Sequence, residues 1–316
     1  MKKLNYFFAA AFMLFIGMST ASAQGLYVKP SVGFGMAATS EIVGKEVTNF
    51  GEDNQVTKNN YNTFGGGLNG RLGIGYMFNK HVGVELGFMY VSGSTVVTDN
   101  ISVGDSYDNS EAKAKRYGAM PSLVVDAGLE KISPYARFGL TLPLGGATDG
   151  VRESNAPEIV SSIITVLYPE AASFKAVSVA NGQFGVGFNS AFGLNYNLSD
   201  KMAVFGEVFY EALRIKRGTY EVSEATLTLN DGTQEDVLSL LSLGGAYPYT
   251  EYFHEIKADE LAAHQQAAID AAADDPDATT YYGTKDYPAW DIVQDVNFSS
   301  FGFNVGVKFN FGGSGE

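Results

Sequence analysis

Seven charged residues stand where a charge is least expected, inside segments that otherwise alternate apolar with small or polar. They are Lys29, Arg71, Glu85, Arg137, Glu207, Glu211 and Lys308. Guanidinium and ammonium groups set against carboxylates offer one chemistry above others, charge-assisted and bidentate hydrogen bonding. Gathered in a narrow interior, such groups desolvate one another unless they pair. Two readings follow: an internal salt-bridge network that plugs a lumen, or a gated ion path. The plug is preferred, because a ring of eight strands leaves room for little beyond side chains. Inward glycines at 73, 75, 83, 87, 185, 187 and 193 favour the path, since they would leave open volume.

Other chemistry is poorly supported. The histidines are His81, His254 and His264, and none has a partner at metal-ligand spacing. Asp259, Asp270 or Ser242 would join a histidine only by coincidence of folding. Asp274, Asp275 and Asp277 are close together but lack the calcium-loop pattern and its terminal Glu. Gly65-Gly66-Gly67 opens no helix and so makes no phosphate loop. No catalytic residue, metal site or cofactor is expected. A contact surface and packing of the loop on itself or on the barrel rim are equal readings of Tyr247, Tyr249, Tyr252, Phe253, Tyr281, Tyr282, Tyr287 and Trp290, which crowd one long connection. Tyr and Trp commonly anchor binding interfaces.

The elements that must position the charges are strands. From Phe301 to Phe311 every odd residue is large and apolar, and every even one is Gly, Asn or Lys. This period of two gives one apolar and one polar face. Seven more segments repeat it: 26–36, 64–78, 82–91, 116–127, 134–144, 184–198 and 202–214. Pro121 cannot donate to a ladder and predicts a bulge or local irregularity. The reading is an all-β, antiparallel, up-and-down barrel with apolar residues toward lipid and polar residues toward the lumen.

Connections alternate in length. Those around Asn79-Lys80, 128–133 and Ser199-Asp200 are tight, whereas 37–63, 92–115, 145–183 and 215–300 are long. Short periplasmic turns and long extracellular loops are the asymmetry of outer-membrane barrels, which places both termini in the periplasm. Ten strands are the alternative to eight. Segments 159–167 and 226–240 could form extra hairpins, the latter turning at Asn230-Asp231-Gly232, and these would either extend the wall above the membrane or join the ring. The fourth long loop also predicts a short helix near 254–273, ended by Asp274-Asp275-Pro276.

Met1 to Ala23 reads as an export leader. Lys2 and Lys3 precede an apolar run, and Ala21-Ser22-Ala23 is a small-residue cleavage site. Residues 24–316 then form one domain. Loss of Lys2 and Lys3 would take the formal charge from −14 to −16, which argues against nucleic acid as a partner. Cysteine is absent, so disulfide and thiol chemistry are excluded. No later segment has the ~20 apolar residues of a membrane helix.

Asn304, Gly306, Phe309 and Phe311 fill the defined places of a polar, any, Gly, any, any, aromatic, any, aromatic pattern on the last strand. This resembles the C-terminal assembly signal of outer-membrane barrels, which the barrel-assembly machinery reads. In that family the aromatic is usually terminal, whereas here residues 312–316 follow it. Taken with strand count and topology, the chain resembles the small OmpA/OmpX-type, porin-like outer-membrane barrels, without the periplasmic peptidoglycan-binding domain. The resemblance implies a bacterial outer-membrane location with outer-membrane lipid as solvent. It also implies a non-enzymatic role as a structural or surface-interaction scaffold, with an unidentified extracellular ligand at the long loops. A narrow porin is the rival.

Overall fold

The protein is described by a computed structural model over residues 25–39, 41–156, 166–238, 250–254, 289–290 and 295–311, with the backbone alone in 250–254 and 289–290. The strands in chain order are β1 (Gly25–Ala37), β2 (Glu41–Thr48), β3 (Val56–Asn62), β4 (Gly67–Met77), β5 (Val82–Val103), β6 (Ser106–Asp126), β7 (Ile132–Ser154) and β8 (Ala171–Gly182). There follow β9 (Gly187–Ser199), β10 (Met202–Ala212), β11 (Arg214–Leu229), β12 (Gln234–Asp236), β13 (Thr250–His254), β14 (Ala289–Trp290), β15 (Asp295–Asn297) and β16 (Ser300–Asn310).

Eight of these close a ring in the order β1, β4, β5, β6, β7, β9, β10, β16 and back to β1, every pair antiparallel. Closure leaves no unpaired edge, which is the condition for strands to cross lipid. The ten-strand alternative fails at β8. It pairs with the far end of β7, from Thr148 to Ser154, beyond the stretch from Ile132 to Thr141 that β9 occupies. Strands β8 and β11 therefore extend the wall at the long-connection end instead of widening the ring.

The polarity is inside-out. Val32, Leu68, Phe88, Phe138, Phe192 and Val305 all face outward and are exposed, whereas Lys29, Arg71, Glu85, Arg137, Glu207 and Asn304 are buried. An apolar belt around a whole ring far exceeds the patches that monomeric soluble proteins expose. Lipid is the solvent that makes it favourable.

The tight turns are held by side chains. Asn79 accepts from the N–H groups of His81 and Val82 at 2.8 and 2.9 Å. Asp126 accepts from Gly128 N–H at 2.9 Å, and Gly128 supplies the positive φ of 69° that the turn needs.

The long connections hold more strand than their polar sequence suggests. The segment 92–115 is mostly strand, because β5 and β6 run on as a hairpin to a turn at Gly104-Asp105. At Pro121 the expected local irregularity is present, as a lapse in pairing and not as a bulge. The β6–β7 ladder lapses at Met120 and Pro121, and the register shift lies between Tyr117 and Gly118 instead. The hairpin at Asn230-Asp231-Gly232 forms, joining β11 to β12. There the Thr233 amide donates to Asp231 at 2.8 Å, which holds that carboxyl below its ordinary value. Val166 and Leu167 form a helical turn, so they belong to no hairpin, while 159–165 and the predicted helix beyond His254 lie outside the described residues.

The inward glycines do not leave open space. Tyr27, Tyr135 and Phe205 each lie across a glycine paired with them on the next strand: Gly75, Gly193 and Gly306. A β-carbon at Gly193 would lie 2.6 Å from the Tyr135 ring, and one at Gly306 would lie 2.8 Å from the Phe205 ring. Glycine in these strands makes slots for aromatic rings. Gly193→Val should therefore destabilise the barrel by about 1–3 kcal/mol, read as a lower melting point in the heat-induced gel-mobility shift. A melting point unchanged from wild type would show that the slot is not needed.

Candidate functional site: the charged lumen

The lumen contains a central layer built on Glu207 of β10. Its Oε2 accepts from Lys29 Nζ at 3.2 Å and from the Tyr135 hydroxyl at 2.7 Å. Its Oε1 accepts from Arg137 Nη2 at 3.1 Å and Asn304 Nδ2 at 2.9 Å. Arg137 Nη1 also approaches Glu85 Oε1 at 3.5 Å, and Glu85 Oε2 accepts from the Tyr27 hydroxyl at 2.9 Å. Lys29 sits between aromatic faces, 4.1 Å from the Tyr135 ring centre and 4.0 Å from that of Phe205. One network thus ties β1, β5, β7, β10 and β16 across the barrel.

Toward the long-connection end, Arg116 forms a bidentate pair with Glu211, at 2.8 and 2.6 Å. Arg71 lies with its guanidinium 4.0 Å from the Phe209 ring centre. Toward the tight-turn end, Asp126 takes Asn195 Nδ2 at 2.9 Å and a hydrogen bond from the Ser133 hydroxyl. Lys308 stands 4.5 Å from the centre of the Tyr27 ring.

The seven charges singled out from the sequence therefore divide. Lys29, Glu85, Arg137 and Glu207 are drawn into one cluster, and Glu211 pairs elsewhere. Arg71 and Lys308 have aromatic neighbours and no carboxylate within 4 Å among the described residues. Sequence reasoning missed Arg116, Asp126, Tyr27 and Tyr135. Parity would have found them: Arg116 shares its face with Ser122 and Asp126, Tyr27 with Lys29, and Tyr135 with Arg137.

The last-strand residues split between the two faces. Asn304 and Gly306 point inward, one to Glu207 and one beneath the Phe205 ring, while Phe309 and Phe311 are exposed outward. Of the aromatic group, Tyr252 and Phe253 lie in β13 and Trp290 in β14. Their backbones run in adjacent strands, with His254 opposite Trp290, and β13 pairs in turn with β11. Tyr247, Tyr249, Tyr281, Tyr282 and Tyr287 lie outside the described residues, as do His264, Ser242 and the acidic turn near Asp275.

A closed eight-strand ring with a charged interior and an apolar exterior defines a membrane-spanning barrel. The chain matches the model of the outer membrane protein beta-barrel domain over residues 7–235, and it belongs to that family. It is a small outer-membrane β-barrel protein of the bacterial outer membrane. Among solved structures it is similar to OprG of Pseudomonas aeruginosa, at 13% identity and TM-score 0.38, over 92% of this chain and 99% of that one. Neisserial surface protein A matches at 10% identity and TM-score 0.34, over 92% and 99%. Ail of Yersinia pestis, solved with the heparin analogue sucrose octasulfate, matches at 13% identity and TM-score 0.28, over 90% and 99%. No curated protein matches.

Proposed function

We propose that this chain is a non-enzymatic structural and surface-interaction barrel whose lumen is plugged by its own ion pairs. The observation that carries the reading is the Glu207 layer. Four donors from three strands converge on one buried carboxylate, and the glycines that would have left a channel are covered by neighbours, aromatic rings at Gly75 and Gly193, Glu85 at Gly73 and Met120 at Gly87. A bidentate pair, Arg116–Glu211, crosses the lumen at a second level. Two cross-linked layers oppose passage of hydrated ions, so the narrow-porin reading is disfavoured.

Binding then falls to the long connections. They form an extended β-wall, β8 with β11 and β2 with β3, with its own apolar core at Phe174, Ala225, Leu227 and Val237. Such a wall is a rigid support for a contact surface, and it would face the exterior. Export would use the leader at residues 1–23, and assembly would read Asn304, Gly306, Phe309 and Phe311. An epitope inserted at Asp231 should be labelled on intact cells, and one inserted at Asp200 only after the outer membrane is opened. The reverse pattern would place the wall in the periplasm and end the surface role.

A further inference from the structure

We infer that the lumen holds a small monovalent anion against Arg71 and Asn69, between the Glu207 layer and the long-connection end. Arg71 is 8% exposed and Asn69 is 6% exposed. They lie two apart on the same inward face of β4, opposite Met89 and Val91 of β5. Neither makes a protein hydrogen bond that satisfies it: both amide atoms of Asn69 and Nε of Arg71 are buried without a partner. A buried amide left unpaired costs free energy, and a buried guanidinium without a counter-ion costs more.

The surroundings do not supply the missing charge. The nearby carboxylates are already committed, Glu211 to Arg116 as a bidentate pair and Glu207 to Lys29 and Arg137. The other neighbours that act on Arg71 electrostatically are themselves guanidinia, those of Arg137 and Arg116. Arg116, whose Nη1 lies 3.7 Å from the Met89 sulfur opposite Arg71, also has its Nε buried and unpartnered. The Phe209 ring lies against the Arg71 guanidinium at 4.0 Å, so that face offers no hydrogen-bond acceptor.

Toward the long-connection end stands an apolar cluster of Ala114, Leu213, Ile215 and Phe298, with Phe64 and Val296 packed against it. Below it stands the Glu207 layer. The result is a level of the lumen between an apolar cluster and the ion-paired layer, where Arg71 Nε and Asn69 Nδ2 lack acceptors; Asn69 Oδ1, itself an acceptor, would be met by a water beside the anion. What limits the ligand is one positive charge without a paired carboxylate and two donors without acceptors. A single negative charge with few acceptor atoms, a halide or formate, matches them. A phosphate or sulfate does not, because its charge and its oxygens exceed what Arg71 and Asn69 provide.

The test uses refolded protein and bromide as the probe. Crystals grown in sodium bromide should show an anomalous scattering peak within contact distance of Arg71 and Asn69. The peak should be absent from Arg71→Met and weakened in Asn69→Leu, which keeps the charge and guards against a misfolded Arg71 variant. In solution, the wild-type melting temperature should climb with bromide relative to sodium gluconate at equal ionic strength. Asn69→Leu should flatten that climb. Formate in place of bromide should reproduce the climb if the site takes small carboxylates, and bromide alone should do so if it is confined to halides. An ordered water at the site with no anomalous signal, together with superimposable bromide and gluconate curves, would overturn the inference.

Discussion

Glu207→Ala should lower the stability of the folded barrel by about 3–5 kcal/mol, the loss expected when one partner of a buried charge cluster is removed. The substitution removes little apolar contact. What it does is strand Lys29 and Arg137 in the interior and leave the Tyr135 hydroxyl and Asn304 amide without their acceptor. Glu85 cannot take over, because it already receives Tyr27 and stands at 3.5 Å from Arg137. The check is the midpoint of urea unfolding in lipid vesicles. Removing one of the two cations as well should recover part of the loss, so Lys29→Met with Glu207→Leu should be more stable than Glu207→Ala alone. A control pair at the wall, Lys175–Glu153 at 2.7 Å, is more than half exposed on the lysine side, with side-chain exposures of 57% and 50%. Lys175→Ala should cost at most about 1 kcal/mol. If Glu207→Ala cost no more than that, the network would not be holding the barrel together.

Val305→Arg should cost about 2–4 kcal/mol in a bilayer, the range found for a cation on the lipid face near the midplane. Val305 is 53% exposed and lies between Val32 of β1 and Gly206 of β10, in the middle of β16. One residue away, Asn304 is fully buried on the other face. A charge is thus tolerated or rejected on a difference of one position. The comparison is Lys58→Gln on exposed β3, which should change stability by no more than about 0.5 kcal/mol. Equal, small effects at both positions would deny that the outward face meets lipid.

These contrasts show where the sequence was legible. Alternation of large apolar with small residues marked all eight ring strands, because lipid imposes one face and the lumen imposes the other. The same rule hid most of the wall above the membrane, where the turn at Asn230-Asp231-Gly232 alone announced a hairpin. In β5 the apolar alternation breaks at Ser92-Gly93-Ser94, and the chain beyond reads as polar loop. Yet β5 continues to Val103, since a hairpin in water needs only its ladder to β6 and no uniform apolar face.

The site was half legible. Charged residues within clean strands were easy to assign to the lumen. Arg116 was not, because it stands at the start of a segment where Met120 and Pro121 blur the pattern. The glycines misled for a different reason. Composition reports a missing side chain but not the ring from the neighbouring strand that fills its place, as Tyr135 does over Gly193. Which charges pair is set by cross-barrel geometry, and periodicity along one strand carries no information about it.

Single-channel recording in a planar bilayer tests the sealed lumen most directly. Refolded protein, shown to be inserted by its protection from protease, should give no stable current steps in molar potassium chloride. Reproducible steps from the same preparation would contradict the plug and make Arg137 and Glu207 the constriction of a pore.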